Sequence, residues 1–70
     1  MLGQYLKNYR LKNNLNQTAM AKLLNTSQSY YSQIETGYRK PSYIMIERIA
    51  ELLKQEASFI RSLLWKQQTN

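Results

Sequence analysis

The sequence predicts an all-α fold, a compact bundle of four to five short helices, and three observations carry that prediction. Apolar residues recur at three- and four-residue intervals along most of the chain, beginning with Leu2, Leu6 and Tyr9. No stretch shows the apolar–polar alternation of a half-buried strand. Residues that stop or start helices stand between the periodic segments: Asn13-Asn14, Asn25-Thr26-Ser27, Gly37 and Ser42.

Each element follows from those marks. The first helix is expected from Leu2 to about Asn13, with Asn14 as a residue that tolerates a left-handed stop. A second opens at Gln17 and turns Ala19, Met20, Ala21 and Leu24 inward. Asn25 suits the left-handed backbone of a tight turn, and Ser27 is a good N-cap for a third helix, Gln28 to Thr36. That helix buries Tyr31 and Ile34 and leaves Gln28, Ser29, Ser32 and Gln33 on one outward face, with Tyr30 at its margin. Gly37 ends it. After a loop to Pro41, Ser42 caps a fourth helix from Tyr43 to about Lys54, with Tyr43, Ile46, Ile49, Ala50 and Leu53 inward. A fifth is expected from about Glu56 to Lys66, with Phe59, Ile60, Leu63 and Leu64 on its apolar side. Residues 1–66 then form one domain and 67–70 a frayed tail.

The junction of the last two helices is open to two arrangements. Ile46, Ile49, Leu53, Ala57, Ile60 and Leu64 are spaced by 3, 4, 4, 3 and 4 residues, close to a heptad, and no Gly or Pro intervenes. Either two helices break near Gln55, with Ser58 helping to cap the second, or one long helix ends in a partner-binding seam.

Composition narrows the function. Seventy residues make one small domain, whose core supplies only ~3–5 kcal/mol without a staple. There is no Cys, His or Asp, so disulfides, thiolate nucleophiles, the commonest general base and nearly every metal-ligand set are missing. Of the four Glu, three (Glu47, Glu51, Glu56) lie on expected helix, where pairing with Lys54 and its neighbours is the ordinary use. No Gly-rich phosphate loop exists. An enzyme, a cofactor and a metal are therefore not expected. The absence of Cys suits a reducing cytoplasm; no apolar run approaches the ~20 residues of a membrane span, and MLGQYLKNYR is too polar for a secretory signal to be expected. The net charge of +6 favours a polyanion.

Asn16 to Pro41, NQTAMAKLLNTSQSYYSQIETGYRKP, reads as two helices sharing a short turn, the second carrying free amides: a helix-turn-helix. Leu15-Asn16-Gln17, Ala21, Leu24, Ser27-Gln28, Gln33-Ile34-Glu35, Gly37 and Pro41 give this segment its resemblance to the phage repressor and Cro-like family of regulators, whose DNA docking is an established example. The resemblance extends more loosely to residues 2–64. Asn14 stands where the family often has a glycine, and two departures stand out: Thr26 sits where an apolar residue is more usual, and neither Gly nor Pro separates the fourth and fifth helices.

A set of site residues follows. Gln side chains read adenine at N6 and N7 in the major groove, so Gln28 and Gln33 are the expected base contacts, with Ser29 and Ser32 between them. Asn16 and Gln17, at a helix N-terminus, are expected phosphate contacts, as the resemblance also implies for Gln17. Thr36, Tyr38, Arg39 and Lys40 form a second phosphate anchor in a loop that the resemblance places against DNA; Lys7, Lys12 and Lys22 are weaker candidates. For Arg10 and Glu35 the resemblance implies a partly buried ion pair instead of a DNA contact. Most of the six Tyr are expected in packing, with Tyr9, Tyr31 and Tyr43 inward. One helix-turn-helix meets one half-site, so a homodimer is expected, in solution or only on DNA, with Phe59, Leu63 and Trp65 of the fifth helix as its interface. The partner is then a two-fold operator in double-stranded DNA, and the function that of a repressor acting by operator occupancy. Two other readings use the same fold: a module gripping another regulator through the fifth helix, and an antitoxin.

Overall fold

A computed structural model describes the backbone of residues 1–68 and the side chains of residues 1–64. Its elements are α1 (Leu2–Lys12), α2 (Gln17–Leu23), α3 (Gln28–Thr36), α4 (Tyr43–Leu53) and α5 (Ala57–Gln68), with no strand among the described residues. α3 lies at the centre, packed by α2 on one side and α1 on another, while α5 closes against α1 and α4. Leu2, Leu6, Met20, Leu24, Tyr31, Ile49 and Ile60, contributed by all five helices, are the fully buried side chains that fill the space between them.

The helix ends explain why so short a chain makes so many elements. α1, α2 and α4 stop in the same way, on a residue in the left-handed region: Asn14 at φ 57°, Asn25 at 56° and Lys54 at 56°. At each, two backbone N–H groups turn back onto orphaned carbonyls. Leu15 and Asn14 donate to Arg10 and Leu11 at 2.9 and 3.1 Å, Thr26 and Asn25 to Ala21 and Lys22 at 2.9 and 3.0 Å, and Gln55 and Lys54 to Ala50 and Glu51 at 2.9 and 3.2 Å. Glycine at φ 85° performs the turn only at Gly37. Starts are as regular. Asn16, Ser27 and Ser42 each accept a hydrogen bond from the N–H three residues on.

Several sequence expectations change here. Of the two arrangements open for the last two helices, the break near Gln55 is the one adopted, because the left-handed Lys54 redirects the chain between α4 and α5. Ser58 lies inside α5 and does not open it. Glu47, Glu51 and Glu56 form no ion pair with Lys54; among the described residues the Arg10–Glu35 pair stands alone. Tyr43 is 70% exposed rather than inward. A helical side chain leans over the turn that precedes it, and before Tyr43 there is only the loop. Met45, which no periodic stripe singled out, takes a core place instead, 3% exposed.

Gly3 does what no other residue could. A Cβ at this position would run into the backbone carbonyl of Glu35, so the bare Cα lets α1 touch the C-terminal half of α3. On the far side, the half-buried Arg48 of α4 reaches α2, donating from Nη1 to the carbonyls of Leu24 at 3.3 Å and Asn25 at 3.1 Å. The helix-turn-helix is thus held from both flanks.

Candidate nucleic-acid interface

The Gln28 amide on α3 ends a hydrogen-bonded chain that starts in the protein interior. Arg10 grips Glu35 with two bonds of 2.9 Å, Nε to Oε2 and Nη2 to Oε1, and its Nη1 donates to the Leu15 carbonyl at 3.1 Å. The side chains of this pair are only 11% and 6% exposed. Tyr31 donates its hydroxyl to Glu35 Oε2 at 2.5 Å and Gln17 donates Nε2 to Oε1 at 3.0 Å. Gln17 in turn accepts, at Oε1, a 2.8 Å bond from Gln28 Nε2. The carboxylate takes only donors, so it sets the direction of the whole chain.

Burial alone would push the Glu35 carboxyl up; the bonds from Arg10, Tyr31 and Gln17, with the Arg10 charge, outweigh it and hold the group at about 2. Burial, then the bond to the Glu35 carboxylate, drive the Tyr31 hydroxyl above its ordinary value. Arg10's own hydrogen bonds to that carboxylate raise the guanidinium above its ordinary value. This is an internal brace, occupied at every polar position, and Arg10 is committed to it rather than to a surface contact.

The outward face of α3 begins with Gln28 and Ser29, both exposed, and continues to Ser32 and Gln33, both half-buried. Five residues separate Gln28 and Gln33, about 7.5 Å along the axis. At the start of α2, Asn16 spends its side chain as the cap, accepting from the Ala19 N–H at 2.8 Å. The Gln17 side chain is engaged at both ends. Among the described residues the backbone N–H groups of Gln17 and Thr18 have no protein acceptor, and they are the free donors at this corner.

The loop after α3 folds back onto the helix. Arg39 donates from its backbone N–H to the Gln33 carbonyl at 3.1 Å and from Nε to Gln33 Oε1 at 2.8 Å. Its guanidinium lies 5.7 Å from the centre of the Tyr30 ring, and the Tyr30 hydroxyl accepts from the Ser42 N–H at 3.1 Å. Thr36 turns its hydroxyl proton back to the Gln33 carbonyl at 3.2 Å. Of the four residues expected to form this phosphate anchor, Tyr38 and Lys40 are exposed and make no side-chain hydrogen bond within the described protein, whereas Arg39 and Thr36, the last residue of α3, are already partnered.

Sequence reasoning missed the Arg39–Gln33 clamp, the Arg48 bracket and the Gly3 approach, since none has a local signature. The expected interface on α5 also changes. Leu63 is 7% exposed and belongs to the core, so it is spent inside the protomer. Phe59 stays 38% exposed and packs edge-on against Tyr5, ring centres 5.6 Å apart. The Trp65 side chain lies outside the described residues. Among the described residues no group of three His, Cys, Asp or Glu side chains gathers as a metal site would need, and no helix is long and apolar enough to cross a membrane.

Comparison with known proteins agrees with this geometry. The helix-turn-helix family matches residues 6–60. The chain is 40% identical over 53 residues to YqaF of Bacillus subtilis (strain 168), an uncharacterized HTH-type transcriptional regulator, covering 76% of this chain and 70% of that protein. It is 38% identical over 60 residues to the ImmF control region 10 kDa protein of Bacillus phage phi105, covering 86% of this chain and 67% of that protein. The matched segment runs from α1 into α5 and encloses the whole braced site, and the chain belongs to the phage repressor and Cro-like helix-turn-helix family of DNA-binding transcriptional regulators.

Proposed function

We propose that the protein is a sequence-specific repressor that occupies a two-fold operator in double-stranded DNA and blocks transcription sterically. The observation that carries this reading is the placement of Gln28: its amide stands at the exposed start of α3 and is aimed by Gln17 and Glu35. One Nε2 hydrogen is committed to Gln17, which leaves the other and the Oε1 lone pairs for adenine N7 and N6. Ser29 and Ser32 supply shorter contacts, and Gln33 a second reading position. The free N–H groups of Gln17 and Thr18, with Tyr38 and Lys40 across α3, anchor phosphates on either side. The names of the two relatives, a transcriptional regulator and a phage control-region protein, support the same assignment.

Two protomers are needed to span an operator. With Leu63 in the core, Phe59 is the described α5 residue left to contribute to a homodimer contact, and the dimer forms in solution or on the DNA itself. Burial of Leu63 also weakens the readings in which α5 grips another regulator or a toxin.

The test is selection of binders from a randomised duplex library at about 150 mM salt. The expected result is a symmetric motif with half-sites roughly 10 base pairs apart. Enrichment of no sequence would overturn the assignment and leave a protein partner as the reading to pursue.

A further inference from the structure

We infer that Arg39 is a specificity-determining positioning residue: it fixes the orientation of the Gln33 amide, so that this position of the half-site is read as an acceptor edge rather than as adenine. The inference rests on the operator reading above and deepens it.

A glutamine amide has nearly the same shape when its oxygen and nitrogen are exchanged. A free Gln therefore adapts to whichever base edge it meets. Gln33 is not free. Arg39 holds it at two points, backbone N–H to backbone carbonyl at 3.1 Å and Nε–H to Oε1 at 2.8 Å. A guanidinium has only donors, so the atom it meets has to be the amide oxygen. The Nε2 hydrogens are then presented away from Arg39, and Gln33 leads with donors. Guanine offers two acceptors, O6 and N7, to such a group and thymine offers O4; adenine offers only N7, and its N6 donor would have to share Oε1 with Arg39, while cytosine N4 presents a donor.

Arg39 is itself kept in place. Its guanidinium rests over Tyr30 at 5.7 Å from the ring centre, a favourable arrangement for a planar cation. Tyr30 is tied to the start of α4 by the bond from the Ser42 N–H. A lysine could supply the charge here but neither the Nε–H in the plane of a fork nor the flat face that lies on Tyr30. A phosphate contact asks only for charge, and that difference separates the two roles.

The experiment is the same duplex selection with wild type, Gln33→Ala, Arg39→Lys and Arg39→Met, together with affinity for the enriched site against salt. Arg39 is exposed, so these variants retain the core. Wild type is expected to favour guanine or thymine roughly five-fold or more at one position of each half-site. Gln33→Ala should flatten that position alone. Arg39→Lys should flatten the same position or admit adenine there, leaving the Gln28 position and the salt slope unchanged. If Arg39→Lys keeps every base preference, while Arg39→Met weakens all sequences alike and reduces the slope by about 1, Arg39 is a phosphate contact and the inference is overturned. It is overturned too if Gln33→Ala changes no position although wild type enriches a motif, a result that leaves the operator reading standing. A wild type that enriches nothing removes both.

Discussion

Glu35 gathers more polar contacts than any other side chain among the described residues, and its protonation links the brace to stability. Its folded value of about 2 lies below the ordinary 4.5, so the fold prefers the ionised form. The stabilisation is complete above the unfolded value and is lost as pH falls from about 5 towards 2, a contribution of about 3 kcal/mol. Tyr31 acts in the opposite sense. Its raised value means stability that is present below pH 10 and declines as pH rises beyond it. Denaturant midpoints against pH should therefore show a plateau with a fall on each side, and Glu35→Gln should remove most of the acid-side fall; an unaltered acid limb in that variant would contradict the assignment. Arg10→Ala leaves the carboxylate buried without its cation and should cost about 3–5 kcal/mol, enough to unfold most of a domain this small at room temperature. Circular dichroism would read that loss directly. Replacing both partners by apolar residues, Arg10→Met with Glu35→Leu, should recover much of it, because no uncompensated charge is then left inside.

Helix ends, more than helix interiors, decide the shape of this chain, and Lys54 is the weakest of them. A lysine at φ 56° carries the Cβ clash of a left-handed residue without the local hydrogen bonding that eases it for Asn. Lys54→Gly is expected to raise stability by about 0.5–1 kcal/mol, read as a higher thermal midpoint, and Asn25→Gly by less; a loss on Lys54→Gly would mean that its side chain holds something the backbone geometry does not reveal. The same comparison shows where sequence reading stops. Caps at Asn16, Ser27 and Ser42 and the glycine stop at Gly37 are chemical preferences visible in one residue, and α2 and α3 start where these preferences put them. Lys54 has no such preference, which is why the break between α4 and α5 was open until the structure placed it. Gly3, Arg48 and Arg39 act across 23 to 32 residues or around a loop, and their partners follow from the packing of helices rather than from spacing. Gln28 on the outer face was legible; that its amide is oriented by a buried carboxylate through Gln17 was not.

The whole molecule measures 30 × 22 × 22 Å and carries a net charge of +6, so its affinity for a duplex is expected to be strongly electrostatic. Only cations release counterions, so Lys40 with up to three of Lys7, Lys12 and Lys22 should give a log–log slope against salt of about −1 to −4 per protomer. Fluorescence anisotropy with a labelled operator measures it, and a slope near zero would point to a partner held by apolar contact. Most helices meet a neighbour in sequence; the exceptions are the docking of α1 on α3 and on α5. Those exceptions have a consequence in time. Contacts between distant segments bear the loop-closure entropy, so the α1–α3 seam, built from Gly3 against Glu35 and the Arg10 grip, should close after the folding barrier and open before it in reverse. Arg10→Lys, which loosens the grip and keeps the charge, should then speed unfolding and leave the folding rate nearly unchanged in stopped-flow chevrons, whereas slowed folding would put α1 in the nucleus. If the seam closes late, the lifetime of the binding-competent regulator is the time for which its first helix stays down.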